Sequence, residues 1–323
     1  MKNKILYTLF SGKKPKFVYY TINVLRMLIP NGVFRMRLPA TLVAAMRRSD
    51  FEYMLQRVNY YNRLSQPTPL PADAPQLKAH KPGKQKVYFF DTFEYTRWFP
   101  PYFRWSFCPG DVTYVPTLPS IVKSRPLTPD NQNSVVMKLV KVRHFIFVND
   151  SKRFVDKQNR VIFRGKVKGK AERRRFMEMY FHNPLCDLGD VSKHTTDPAE
   201  WQTEKKTIRE HLDYKFIMAL EGNDVASNLK WVMSSNSIAV MPRPTCETWF
   251  MEGTLIPNYH YIEIKPDFTD LEERVTYYID HPDEAQQIIE HAHAYVKPFK
   301  DKKREHLISL LVLDKYFRMT KQQ

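Results

Sequence analysis

The amino-acid sequence is expected to fold as an α/β protein of two Rossmann-like lobes with a cleft between them, and three observations point there. From Lys215 to Ile264 the residues alternate as strand, polar turn, helix, strand, loop and strand. The length of 323 residues exceeds the roughly 250 to 300 residues at which a single core stops growing. Hydrophobic residues make up 43% and aromatic residues 14%, enough to build cores rather than leave the chain disordered.

Taken in chain order, Ser65 to Lys86 carries five prolines and little apolar content, so it reads as a linker or extended surface segment. Lys86 to Phe90 reads as a strand, Asp91 to Phe99 as a turn or short helix, and Ser134 to Val148 as one or two strands. Val161 to Phe163 is a further strand, followed by a basic loop and a helix from Ala171 to Phe181. Glu200 to Leu212 also has a helical pattern. Phe216 to Leu220 is short and apolar, as a buried parallel strand is, and Glu221, Gly222, Asn223 and Asp224 form the turn after it. A helix from Asn228 to Ser235 follows, and Asp270 to Ile279 is another. Pro282 opens a helix at its favoured first position and Pro298 ends the run; the last helix covers Lys302 to Phe317.

Composition excludes several classes. The nine glycines are scattered and never make GxGxxG, which argues against a dinucleotide oxidoreductase. Three cysteines without CxxC spacing fit neither a disulfide framework nor a zinc site, and suit a reducing compartment. The ten histidines never make HExxH. Gly165, Gly169 and Lys170 imitate a P-loop, but the spacing is one residue short and Ala171 stands where a hydroxyl is needed. The opening MKNKILYTLFSGKKPK lacks the small-residue cleavage site of a secretory signal, and the apolar run Phe17 to Pro30 is too short and too interrupted to span a bilayer.

The net charge of +17 is unevenly spread: Met1 to Leu64 holds twelve Lys or Arg against Asp50 and Glu52. There Lys13, Lys14, Lys16, Arg35, Arg37, Arg47 and Arg48 interleave with Tyr19, Tyr20, Leu25, Leu28 and Phe34. That mixture suits an anionic membrane surface, and a solvated basic face explains it equally well. Basic stripes also serve nucleic acids, but no RNA- or DNA-binding signature accompanies this one, so no nucleic-acid partner is expected.

Several motifs occur in order: GDVTYVP (Gly110 to Pro116), SIVKSRP (Ser120 to Pro126), FRG (Phe163 to Gly165), EGNDVASNLKW (Glu221 to Trp231), SSNSIAVMPRP (Ser234 to Pro244), ETWFMEG (Glu247 to Gly253) and HYIEI (His260 to Ile264). Together they resemble the family 90 glycosyltransferases, which include bacterial lipopolysaccharide A proteins and animal protein O-glucosyltransferases. The likeness runs from about Tyr88 to Ile264. It implies a GT-B-like fold: an N-terminal acceptor-binding lobe over residues 1–150, a nucleotide-sugar donor lobe over 151–296, and a C-terminal helix over 297–323 packing back on the first lobe.

Transfer from a nucleoside-diphosphate sugar releases a diphosphate, and its growing charge must be met. The chain has no Asp-x-Asp triplet of the kind that holds a divalent ion, so no metal site is expected and protein cations must do this work. The loop FRGKVKGKAERRR, Phe163 to Arg175, supplies them at a strand-to-helix junction, where helix N–H groups also face an anion. An exposed basic turn is the plainer reading of the same charges. By resemblance Arg164 and Gly165 match the family's dipeptide, and Arg173, or Arg174, matches the arginine that contacts the diphosphate. In the second turn Gly222, Asp224, Ser227, Asn228 and Lys230 are donor-binding candidates. Asp224 and Ser227 also suit helix capping, and Asn228 stands where animal members carry an arginine. Glu247 is the candidate for the ribose, or for helix N-terminal electrostatics.

Inversion needs a base for the acceptor hydroxyl. Glu94, followed by Tyr95, best matches the family's base; Asp91 is the alternative, or a helix cap, and the surrounding aromatics would raise a carboxylate pKa. Asp111 is a weaker candidate, with Lys123 and Arg125 as further acceptor or cleft residues. Tyr102, Phe103, Trp105 and Phe107 suit sugar stacking or core packing.

The expected activity is inverting transfer of a sugar of the glucose or xylose class from a UDP-sugar, the co-substrate, to a hydroxyl of a lipopolysaccharide or lipooligosaccharide core, with no cofactor. Its partners would be the nucleotide sugar, a glycolipid or oligosaccharide acceptor and an anionic membrane surface, and its location the cytoplasm or the inner membrane periphery. The competing expectation is a non-catalytic glycolipid-binding protein or peripheral membrane scaffold.

Overall fold

The structure, a computed structural model, describes residues 15–83 and 85–322. The segment read above as lacking a secretory signal, with Lys13 and Lys14, lies outside the described residues apart from Pro15 and Lys16. The chain runs through helices α1 (Lys16–Met27), α2 (Asn31–Met46), α3 (Phe51–Tyr61) and α4 (Lys86–Thr96), then strands β1 (Phe107–Cys108), β2 (Ser120–Val122), β3 (Ser124–Pro126) and β4 (Ser134–Val136). It continues through β5 (Gln158–Gly165), α5 (Ala171–Tyr180), β6 (Cys186–Asp190), β7 (Tyr214–Met218), α6 (Leu229–Val232), β8 (Ile238–Met241) and β9 (Cys246–Thr248). Last come β10 (Ile262–Glu263), α7 (Leu271–Asp280), α8 (Pro282–Val296) and α9 (Lys302–Met319). Among the described residues no helix is long and apolar enough to cross a membrane.

Two compact units divide these elements. One, the sheet unit, comprises Val142–Pro244 and Thr254–Pro298. Its five parallel strands lie in the order β10-β8-β7-β5-β6. Strands β7 and β8 are buried on both faces, which is why they read as short uninterrupted apolar runs. Phe163, Phe216, Met218, Val240 and Ile262 share one core with Phe176 of α5 and Ile288 of α8. The chain steps from β5 to β6 on one side and then crosses to β7 on the other, so the strand order reverses between β5 and β7. In open α/β sheets the carboxyl ends of strands at such a reversal are where ligands collect.

The other unit comprises Lys16–Lys141, Thr245–Gly253 and Phe299–Gln323. Strands β1, β2 and β4 form a parallel sheet, and β3 pairs antiparallel with β9. Helix α9 packs on α2, α3 and α4, and Tyr61 of α3 stacks on Trp249 with ring centroids 3.9 Å apart. Beneath that stack Glu305 is buried between two cations. It accepts from Arg57, from Lys138 Nζ at 2.8 Å and from Trp249 Nε1 at 2.6 Å. Burial alone would raise this carboxyl, but the Lys138 and Arg57 charges outweigh it and hold its pKa below the usual range.

Several expectations about local structure are corrected. Lys86 to Phe90 is the first half of α4, not a strand. A four-residue apolar run does not distinguish strand from helix, and the buried set Tyr88, Asp91, Thr92 and Tyr95 follows helical spacing. Asp91 therefore sits inside a helix and caps nothing. Within Ser134 to Val148 only β4 is a strand, and a helical turn Lys141–His144 follows. Glu200 to Leu212 holds two short turns, Ala199–Trp201 and Ile208–His211, in place of a helix. The expected helix Asn228 to Ser235 shrinks to α6, whose N-cap position is Asn228, with no side-chain cap bond, in place of Asp224 or Ser227.

Removing the Glu305 charge strands two buried cations. Glu305→Gln should lower stability by about 3–5 kcal/mol in a denaturant titration. Because the folded pKa is depressed, the contribution of Glu305 is complete above its unfolded value of about 4.3 and fades as pH falls through the folded value. That acid-side loss should be smaller in the variant, and an unchanged midpoint at neutral pH would refute the assignment.

Candidate active site

At the reversal between β5 and β7, two loops meet through one side chain. Arg173, in the first turn of α5, donates from Nη1 to the Lys166 carbonyl at 3.0 Å in the loop after β5. From Nε and Nη2 it donates to the Glu221 and Leu220 carbonyls after β7, at 2.9 and 2.8 Å. Gly222 permits this approach, since a Cβ there would lie 3.3 Å from Arg173 Nη2. Lys170 bridges the same loops through Asn223. Burial first, and then repulsion from Arg143, pulls the Arg173 pKa down to about 10, which leaves it charged at neutral pH. Among the described residues Arg173 bonds three carbonyls and no carboxylate. Helix α5 begins beside it with Lys170 at the cap position and no side-chain cap, so its first N–H groups add to the positive end.

The other donor candidates differ in position. Arg164 turns toward β6, bonding Asp187 through its carbonyl at 2.7 Å and its carboxylate, and is a strut of the sheet. Gly165 is required by packing: a Cβ there would stand 2.5 Å from the Phe163 ring. Arg174 is half exposed and paired with Glu178 and Asp197. Asn228 donates to the Met218 carbonyl at 2.9 Å, tying the start of α6 to the end of β7. Lys230 and Asp224 are buried beside it in sequence, and Ser227 is half-buried. Arg143, in the turn before β5, is the cation that sequence reasoning missed. Its only signal was a basic residue in a segment taken for strand.

In the other unit the carboxylates separate by environment. Asp91 is fully buried, accepting from Tyr19 Oη at 2.7 Å and from the Lys141 backbone N–H at 2.9 Å. Burial raises its pKa despite the opposing Lys141 charge. Glu94 accepts from Arg26 at 2.6 Å and Lys141 Nζ at 2.8 Å; burial opposes ionisation, but these two cations win and its pKa is lowered. Lys141 had no sequence signal for this role.

Asp111 is exposed, in the loop that leaves the carboxyl end of β1. It pairs with Lys123, which lies at the carboxyl end of the adjacent parallel strand β2 and is itself buried. Ser124 Oγ spans the Val112 N–H and carbonyl at 3.1 Å each and fixes the turn that carries Asp111. Glu247 and Arg125 are cross-strand partners in β9 and β3, joined at 2.7 Å and both fully buried. Tyr60 Oη completes the Glu247 carboxylate. Phe103 and Trp105 are core residues, and Tyr102 is exposed. Among the described residues no cluster of three or more His, Cys, Asp or Glu is placed to hold a metal ion.

A parallel sheet with cations at its order reversal defines a Rossmann-like α/β protein. Residues 133–321 match the model of glycosyl transferase family 90. O-glucosyltransferase LpsA of Dichelobacter nodosus is 40% identical over 288 residues, 89% of this chain and 87% of that protein. Protein O-glucosyltransferase 3 of Homo sapiens is 25% identical over 173 residues, 52% of this chain and 34% of that protein. The chain belongs to glycosyl transferase family 90 and is by that membership a glycosyltransferase, as the ordered motifs implied.

Gly165→Ala should cost about 1–3 kcal/mol of stability by overpacking the Phe163 ring, seen as a lower thermal midpoint. A variant of wild-type stability would show that the ring yields and that the glycine answers to something other than packing.

Proposed function

We propose that the chain is an inverting glycosyltransferase of the GT-B kind, moving a sugar of the glucose class from UDP-sugar to a hydroxyl of a lipopolysaccharide or lipooligosaccharide core, without a metal. The observation that carries this reading is Arg173, a half-buried cation at the sheet reversal that, among the described residues, bonds carbonyls and no carboxylate. A diphosphate is the anion such a cation lacks, and Lys166, Lys168 and Lys170 on the same loop would share it. The Dichelobacter nodosus relative, an O-glucosyltransferase, supports glucose as the sugar.

As the base we take Asp111 in place of Glu94. Glu94 is engaged by two cations, Arg26 and Lys141, and Asp91 is sealed from solvent, whereas Asp111 is exposed, paired with Lys123 and carried on a turn that Ser124 fixes at strand carboxyl ends. In the reaction the acceptor oxygen gives its proton to the Asp111 carboxylate and bonds to the anomeric carbon. The bond from that carbon to the diphosphate breaks on the opposite face, and Arg173 stabilises the charge that develops on the leaving group.

Asp111→Asn should lower turnover about 10²- to 10⁴-fold while UDP affinity stays near wild type, and Glu94→Gln should keep most activity. Arg173→Ala should weaken UDP binding about 10- to 100-fold, the scale of lost charge-assisted bonds, and a chelator should change neither measurement. Calorimetry with UDP and a UDP-glucose turnover assay test these together. Wild-type turnover in Asp111→Asn would remove the base, and unchanged UDP affinity in Arg173→Ala the donor site.

A further inference from the structure

Helix α1 is turned inside out. The face it gives to its own unit is polar: Tyr19 bonds Asp91, Asn23 is buried, and Arg26 pairs with Glu94. Its outward face carries Phe17, Ile22, Leu25 and, just past the last turn, Leu28, with Phe17 and Leu28 at 80% and 75% exposure. Helix α2 continues the pattern, burying Ala45 and leaving Met36 at 77% exposure. Twelve of the 21 large apolar side chains exposed among the described residues lie between Phe17 and Met46. A helix at home in a soluble unit turns its apolar stripe inward, and a concentrated exposed apolar surface marks a binding face.

The same stretch is wholly cationic. From Lys16 to Ser49 there are six Lys or Arg and no Asp or Glu. Arg26 and Arg48 are used in ion pairs within the unit, whereas Lys16, Arg35, Arg37 and Arg47 make none among the described residues. Apolar side chains flanked by cations match a bilayer surface with anionic headgroups: the apolar groups enter the acyl boundary while the cations meet the phosphates. A second copy of this chain fits poorly, because a two-fold contact would set cation against cation with no acid in the stretch to compensate. The depth is interfacial, since no described helix can span.

We propose that α1 and α2 form a docking surface for anionic lipid bilayers. The surface stands without the transferase reading, because adsorption needs neither donor nor turnover.

The test is sedimentation of the full chain with neutral phosphatidylcholine vesicles and with vesicles containing about one third phosphatidylglycerol, alongside size-exclusion chromatography. Wild type should bind the anionic vesicles about ten-fold or more tightly, and added salt should weaken binding. The apolar variant Phe17→Ser with Leu28→Ser and Met36→Ser, and separately the charge variant Arg35→Gln with Arg37→Gln, should each lose about ten-fold in vesicle affinity. Both should keep wild-type circular dichroism and UDP-glucose turnover on a soluble acceptor. Equal binding to both vesicle types, or wild-type binding by the apolar variant, overturns the proposal. So does a wild-type dimer that the apolar variant dissolves without vesicle binding, which would assign the face to a second copy. If either variant misfolds, the single changes Leu28→Ser and Arg37→Gln carry the same comparison.

Discussion

The strand-order reversal of the parallel sheet is bridged by one guanidinium. Arg173 reaches across the reversal of the parallel sheet and bonds the carbonyls of two loops that belong to different strands. A carbonyl satisfies an N–H geometrically but leaves the charge formally uncompensated, and burial makes that charge costlier to hold. Such an arrangement persists because the loops are over-determined by the sheet beneath them and because Gly222 clears the approach. A group held this way is preorganised: it needs no movement to meet an incoming anion, which is the condition under which fixed charges contribute most to a transition state.

The other unit solves a different problem, the burial of many charges. Glu305 between Arg57 and Lys138, and Glu247 with Arg125, are pairs whose members come from distant parts of the sequence. Such pairs contribute little net stability relative to apolar packing, yet removing one partner is expensive. Here they join α3, β3, β4's trailing residues, β9 and α9, so the segment Thr245–Gly253 is held in a unit other than the one that precedes it in sequence.

What the sequence revealed and what it hid divide along local and non-local lines. The run from Lys215 to Ile264 was legible because β7 and β8 are continuous apolar strands flanked by turn residues, and α7, α8 and α9 because caps and prolines mark them. Helix α4 was misread because KVYFF satisfies both periodicities, and its helical identity comes from what Tyr88, Asp91 and Tyr95 pack against. Strands β1, β2 and β4 are two or three residues long, too short for any periodic signal. Asp111 was therefore named from its motif and ranked below Glu94 and Asp91, since its position at the carboxyl edge of that sheet is a property of three separated segments. Arg164 and Glu247 were named as ligand contacts from their motifs, and the structure engages both in links between strands.

The inward-facing polar groups of α1 explain why its orientation was beyond sequence reasoning. Amphipathicity says that a helix has two faces; it does not say which one its own protein will take. That choice is made by Asp91 and Glu94 on α4, two acidic side chains that Tyr19 and Arg26 can reach and that an apolar face of α1 would leave without those partners. Buried acids need hydrogen-bond donors, and the bonds from Tyr19 and Arg26 hold α1 polar side inward. Asp91 and Glu94 thus orient the helix, and the apolar surface of α1 follows from their presence.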